Sequence, residues 1–522
     1  MVLNSYIQLN VFLIMKVLNS CKLTIFLICF LFSSFNILAQ TLKVEKGPRL
    51  KTKSFQNQLI SSSKNGYLFL GEDGHARREL MYWYSKKNES WKRVYKSKVG
   101  NWVIGSLVSE NKLVNVVLGQ KGGEKIIHGI LIDKKTGKEL KNEIIVKNPH
   151  NNKITNIWNT IKLYGFEISD NDKVLSVGKF DLEKNGGNNF HIDEYDSLLV
   201  KKSSIKLNLD VDLESVELEC FKPIGGGKYI LITSQVSKNK KNKKRSRYHN
   251  VNHKLHVVSK FGYEVILIPE SIGNIDFLSI EFSLNKNQII ITGKKADENM
   301  KNFSYVYCVF NLLNNKLDLL GEYSLKDIID CQTGDNQYRN VNFCKPKYFS
   351  LNEIIFCADG YVMIYENIYR KLNQDHTYGS IIIQKINFKG EVIFSKLIPK
   401  KQRLAYPWVS GPRDFNGYIH LIKNDRLVLI FTDSKKNYEE ESIVEGINLI
   451  KKSYVNQFVV GAVNISMKDG HYTREIILEK DLNSRQLWGL NANGFNRVSE
   501  FEVNTVIRYK SNQVMPIKFS LE

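Results

Sequence analysis

The chain has 522 residues, more than one simple hydrophobic core organises, so several domains or a repeat architecture are required. Hydrophobic residues make up 43% and charged residues 25%, a balance that places it among folded globular chains and excludes disordered or fibrous classes. Lys and Arg outnumber Asp and Glu by 75 to 53, a net +22; a field of that sign favours anionic partners without specifying one.

The chain opens with a targeting pattern. Lys16 and Lys22 precede an apolar run, Leu23–Leu38, that ends at Ala39-Gln40. A basic flank, an apolar stretch too short to span a bilayer comfortably and a small residue together predict a secretory signal peptide over residues 1–40, with Met15 as an alternative start. A retained membrane anchor is the rival reading. The residues before Cys29 (Phe26-Leu27-Ile28) are too bulky for a lipoprotein signal. Residues 41–522 form the expected mature domain, secreted or periplasmic, which keeps a net charge of +20 without Lys16 and Lys22. Of its five cysteines, Cys308 and Cys357 lie in apolar runs and read as buried thiols. Cys331 and Cys344 are the pair to test for a bridge, and their spacing does not suit a metal.

From Gly66 the same phrase recurs seven times: an apolar run closed by glycine or a polar turn. The copies are GYLFLGEDG at Gly66, KLVNVVLGQKGG at Lys112, KVLSVGKFD at Lys173, KYILITSQ at Lys228, QIIITGKKAD at Gln288, EIIFCADG at Glu353 and RLVLIFTD at Arg426. Most lead into a strand–turn–strand passage, clearest as HGILIDKKTGKEL at His128, KLHVVSKFGYEVI at Lys254 and IIIQKINFKGEVI at Ile381. Their mean spacing of 60 residues holds four short strands with turns, the content of one propeller blade. A single such sheet buries neither face alone, so copies must stack, and closure into a ring protects their edges. The expectation is an all-β fold, a β-propeller of seven blades with about four strands each. A pair of β-sandwiches is the alternative. The tail from Asn496 reads as further strands that close the first blade together with Thr41–Leu59.

Several motifs carry potential chemistry. Lys238–Arg247 (KNKKNKKRSR) interrupts the fourth unit as a loop; Lys240, Lys241, Lys243, Lys244, Arg245 and Arg247 are its candidate polyanion contacts, beside the plainer reading of a solvated loop. No row of aromatics accompanies it, so specific nucleic-acid recognition is not expected. His249, His253 and His256 are imidazoles in H-x3-H-x2-H spacing, but a strand points His253 and His256 to opposite faces, and no metal is assigned. Asp181, Glu183, Asn185 and Gly186 depart from a calcium loop at its third and twelfth positions and read as a turn. Gly225-Gly226-Gly227 leads into a strand and not a helix, which excludes a phosphate cradle. Neither a G-x-S-x-G elbow nor a Walker sequence occurs, and no cofactor is implied.

One stretch resembles a family. At Ile381–Asn437 a strand phrase with a turn glycine, then IPKKQ, then LVLIFTDSKKN is similar to uncharacterised secreted β-propeller-like proteins of Bacteroidetes-type bacteria. Phe394, Ile398, Pro399, Lys400, Gln402, Phe431, Asp433 and Asn437 carry the match, over about sixty residues. The family lends no activity. Lys400, Gln402, Asp433 and Asn437 are therefore candidate binding residues, with a blade-terminal turn as the competing role. LMYWYSKKNESWKRV at Leu80 is similar to the blade phrase of periplasmic WD40-like propellers but lacks their Asp-Gly turn, and no intact sialidase Asp-box occurs. The functional expectation is a monomeric, non-enzymatic binding scaffold for a glycan or protein partner. A polysaccharide-acting hydrolase or lyase, and electrostatic adhesion to polyanions, are the alternatives.

Overall fold

A computed structural model shows eight antiparallel sheets arranged as the blades of a β-propeller. The structure describes residues 42–51, 58–63, 65–73, 78–96, 102–108, 112–121, 124–133, 138–147, 164–168, 174–180, 189–209, 216–236, 251–267, 275–282, 288–296, 303–326, 348–370, 376–400, 402–403, 417–435, 438, 458–479, 487–490, 496–509 and 513–522. Blades 1 to 7 are four-strand meanders in chain order, from Gln58–Ser63 at the start of blade 1 to Tyr472–Leu478 at the end of blade 7.

The expected count of seven is corrected to eight by the tail. Leu487–Leu490, Glu502–Tyr509 and Gln513–Leu521 form the first three strands of a separate blade 8. Its fourth strand is Leu42–Lys46 from the other end of the chain, with Leu42 opposite Leu521 and Val44 opposite Phe519. The two termini do close a blade, but not the first one: Gln58–Ser63 already pairs with Gly66–Asp73 in blade 1. Six of the seven repeat phrases fall on second strands; EIIFCADG instead runs from the first strand of blade 6, Phe349–Cys357, into its turn.

Packing explains why the inner strands read as unbroken apolar runs. A blade is covered on both faces, so alternate side chains serve two different interfaces. In the third strand of blade 6, His376–Asn387, Ile382 and Ile386 join Tyr305 and Tyr307 of blade 5. Ile381 and Ile383 point the other way and join Leu427 and Leu429 of blade 7. The outer strand Val392–Ile398 mixes exposed and buried positions. Equivalent clusters join blades 2 and 3, 3 and 4, 4 and 5, 7 and 8, and 8 and 1. Blade 1 meets blade 2 where Arg78–Ser85 touches Trp102–Val108, which completes the ring. First strands of successive blades touch one another, as Tyr164–Ile168 touches Val216–Gly225, so they line the axis.

Candidate functional site

The three described residues nominated by the resemblance do come together. After the outer strand of blade 6 the chain turns back, and Gln402–Arg403 pairs with the third strand through Tyr378 and Thr377. This places Lys400 and Gln402 under the start of blade 7. The Lys400 ammonium donates to Glu366, to Gln402 Oε1 at 3.2 Å and to the Gly417 carbonyl at 3.3 Å. Gln402 bridges two backbones: its amide donates to the Thr432 carbonyl at 2.8 Å and its oxygen accepts from Gly417 N–H at 2.9 Å. Asp433 lies 3.7 Å from Arg474, which donates to the Pro399 carbonyl at 2.6 Å. Lys400 and Asp433 are 3% and 2% exposed, so no ligand reaches them in this arrangement. Burial pulls the Lys400 ammonium below its ordinary range, and the Glu366 carboxylate opposes that shift. Geometrically these residues fasten blade 6 to blade 7. Asn437 lies outside the described residues.

The same polar network extends to a group that the sequence reading passed over. Asn352 donates to the second Glu366 oxygen at 2.9 Å, and its neighbour Glu353 accepts from His420 Nδ1 at 2.6 Å. Glu353 is on the first strand of blade 6 and His420 on the first strand of blade 7, Ile419–Lys423. Arg497, on the Asn496–Ser499 segment of blade 8, donates to the His420 carbonyl at 3.1 Å and lies equally close to Nδ1. Nδ1 cannot donate to Glu353 and accept from Arg497 at once, so the 2.6 Å carboxylate contact assigns the proton to Nδ1. Arg497 is then satisfied by the carbonyl, and Nε2 is left as the imidazole's acceptor. Tyr418 sits beside this group; burial, with Glu353 and Glu366 nearby, holds its hydroxyl well above the usual phenol range.

Three neighbouring blades thus supply a carboxylate, an imidazole and a guanidinium at the inner strands. The Glu353 side chain is 34% exposed against 7% for His420, so solvent meets the cluster at the carboxylate. Such an arrangement accepts hydrogen bonds from a hydroxyl-bearing ligand at Glu353 and can relay a proton through the imidazole. The sequence signal was faint: Glu353 at the start of the apolar phrase EIIFC and His420 inside YIHLI.

Other expectations resolve simply. His253 and His256 share the third strand of blade 4, Val251–Ser259, and both are buried. His256 Nε2 meets Thr233 Oγ1 at 2.9 Å, and burial pushes both imidazoles down to about 4. Among the described residues no group of three His, Cys, Asp or Glu is placed to hold a metal. Gly225, Gly226 and Gly227 all have positive φ and form the hairpin between the first two strands of blade 4. Cys308 is buried and its thiol is pushed up to about 12; Cys220 and Cys357 are partly buried. The signal segment, the basic run with Lys240, Lys241, Lys243, Lys244, Arg245 and Arg247, His249, the Asp181 turn, Cys331 and Cys344 lie outside the described residues. No helix among the described residues is long and apolar enough to cross a membrane.

Neither a family model nor a curated protein matches the chain. Solved structures similar to it are propeller-containing proteins at very low identity. A Porphyromonas gingivalis dipeptidyl peptidase 4 aligns at 10% identity and a TM-score of 0.43, over 87% of this chain and 58% of the peptidase. The Dos1 propeller aligns at 8% identity and a TM-score of 0.41, over 91% of this chain and 95% of that one. A prolyl endopeptidase aligns at 10% identity and a TM-score of 0.41, and the chain spans 55% of that enzyme's length.

Proposed function

We propose that the protein is a secreted, non-enzymatic binding scaffold whose ring presents an inner polar cluster to a hydroxyl-rich glycan. The carrying observation is the Glu353 carboxylate, held by His420 at 2.6 Å and still a third exposed on an inner strand of the ring. An acceptor held by its neighbours loses little freedom on binding, which favours recognition. Behind it, Glu366, Lys400, Gln402 and Asp433 are spent on joining blades, so they support the site's rigidity and not its contacts. The test is a thermal-shift screen of the isolated protein against bacterial and algal polysaccharides. A ligand at a hundred times its Kd adds about 2.7 kcal/mol, enough to raise Tm measurably. Glu353→Gln, which keeps shape and removes charge, should abolish the shift. Retention of the full shift in that variant, or a hit on proteins alone, would overturn the reading.

The Glu353–His420 pair also favours a second reading, a hydrolase or lyase acting on the bound polysaccharide. A carboxylate that orients an imidazole and leaves Nε2 as acceptor is a general-base arrangement. Release of reducing ends or of unsaturated product from a glycan hit, lost in His420→Gln, would decide for it.

A further inference from the structure

The hairpins between third and fourth strands carry an unexplained feature. In blades 3 to 6 each of these tight turns holds a large apolar side chain out into solvent. Leu198 is 42% exposed, Phe261 88%, Leu313 77% and Phe388 50%. The turns are not loose. Asp196 Oδ1 accepts from the Leu198 and Val200 N–H groups at 2.9 and 3.0 Å. Asn311 Oδ1 accepts from Leu313 at 2.9 Å, Asn387 Oδ1 from Lys389 at 2.9 Å and Ser259 Oγ from Phe261 at 3.2 Å. Three of the four also lean on the preceding blade: Lys141 donates to the Leu199 carbonyl at 3.2 Å, Asn315 to Glu264 at 2.6 Å and Tyr323 to the Gly390 carbonyl.

These hairpins join the same two strands in successive blades and so lie on one side of the ring. The four apolar tips therefore form an arc on one side of the disc, fixed by the ring itself. Three of the tips also bring an exposed lysine close in sequence, Lys260, Lys316 and Lys389, whereas Lys201 beside the blade 3 turn is paired with Asp193 at 2.7 Å. Lys260 lies over the Phe261 ring, its ammonium 4.9 Å from the centroid.

We propose that this arc seats the propeller on an anionic lipid bilayer, the apolar tips entering the boundary between headgroups and acyl chains and the lysines meeting lipid phosphates. A protein partner covers a contiguous apolar patch. Here the tips come from four successive blades on one side of the ring, with Val200 beside Leu198 and Val392 and Ile393 following Phe388, a spread that suits a planar fluid surface. The lysines and the net +20 of residues 41–522 select the anionic kind. This inference is independent of the Glu353 site.

The test is co-sedimentation of the isolated protein with vesicles of phosphatidylcholine alone and of phosphatidylcholine mixed equally with phosphatidylglycerol. Binding should require the anionic lipid. The triple variant Phe261→Ser, Leu313→Ser, Phe388→Ser should bind at least roughly tenfold more weakly with unchanged Tm, because a protruding side chain contributes to insertion and not to the core. Lys260→Ser and Lys389→Ser should each weaken binding about fivefold, and Phe261→Trp should strengthen it. The proposal is overturned if the parent ignores anionic vesicles, if the triple variant binds as well as the parent, or if the substitutions dissolve a dimer and leave vesicle binding intact.

Discussion

Lys400 shows how a residue nominated for binding serves the fold. Its ammonium is buried against Glu366, Gln402 and a carbonyl, so removal leaves Glu366 charged and short of a partner. Breaking one member of a buried pair costs about 3–5 kcal/mol, whereas replacing both by apolar groups of similar volume is often nearly neutral. Lys400→Ala should therefore lower the unfolding free energy by about that amount, and Lys400→Met combined with Glu366→Leu should recover most of it. Urea unfolding of the parent and the two variants measures this. If Lys400→Ala melts like the parent, the burial argument fails and a direct binding role returns. Glu353 is the contrasting case, since its carboxylate is a third open to solvent and its loss is predicted to be felt in ligand binding.

At the level of elements, the N-terminal strand is the ring's fastener. Leu42–Lys46 pairs along the whole of residues 517–521, and Leu42 and Val44 pack on the core shared by blades 7 and 8. Leu50–Lys51 adds a second short pairing to Gln513–Leu521, with Leu50 in the core between blades 8 and 1. A chain lacking residues 42–51 would expose the edge of Gln513–Leu521, an open template for another chain. We expect such a chain to melt well below the parent and to form soluble aggregates, read by scanning calorimetry and light scattering. An unchanged Tm would mean that the eighth blade is dispensable to closure.

For the molecule as a whole, acidity should be a specific weakness. His253 and His256 titrate at about 4 in the folded chain because burial penalises their cations, against 6.5 for an ordinary imidazole. The folded state then binds fewer protons than the unfolded one through this window. Stability from these groups is fully present above pH 6.5 and is lost as pH falls toward 4. Each histidine accounts for on the order of 2–3 kcal/mol by the lower limit. Urea midpoints at pH 7.5 and 4.5 should differ strongly in the parent and clearly less in His253→Asn/His256→Asn. Equal slopes in the two chains would refute the assignment to these residues.

The sequence by itself determined the all-β class, the repeat and its spacing, because alternating apolar runs with glycine or asparagine turns are local facts of backbone geometry. It also placed individual turns: Lys389-Gly390 is the hairpin it was read as, with Gly390 at φ +85°. It did not determine the number of blades. The eighth is assembled from segments nearly the whole chain apart, and pairing across such a distance leaves no periodic trace in either segment. The grouping of Lys400, Gln402 and Asp433 was legible as a motif, but their role was not, because burial depends on what blade 7 lays over them. Glu353, His420 and Arg497 meet only because three blades converge at an axis, and side-chain convergence is a property of the closed ring. Tertiary structure alone decided which polar residues of this network are sealed in and which, Asn352 and Glu353, still face water.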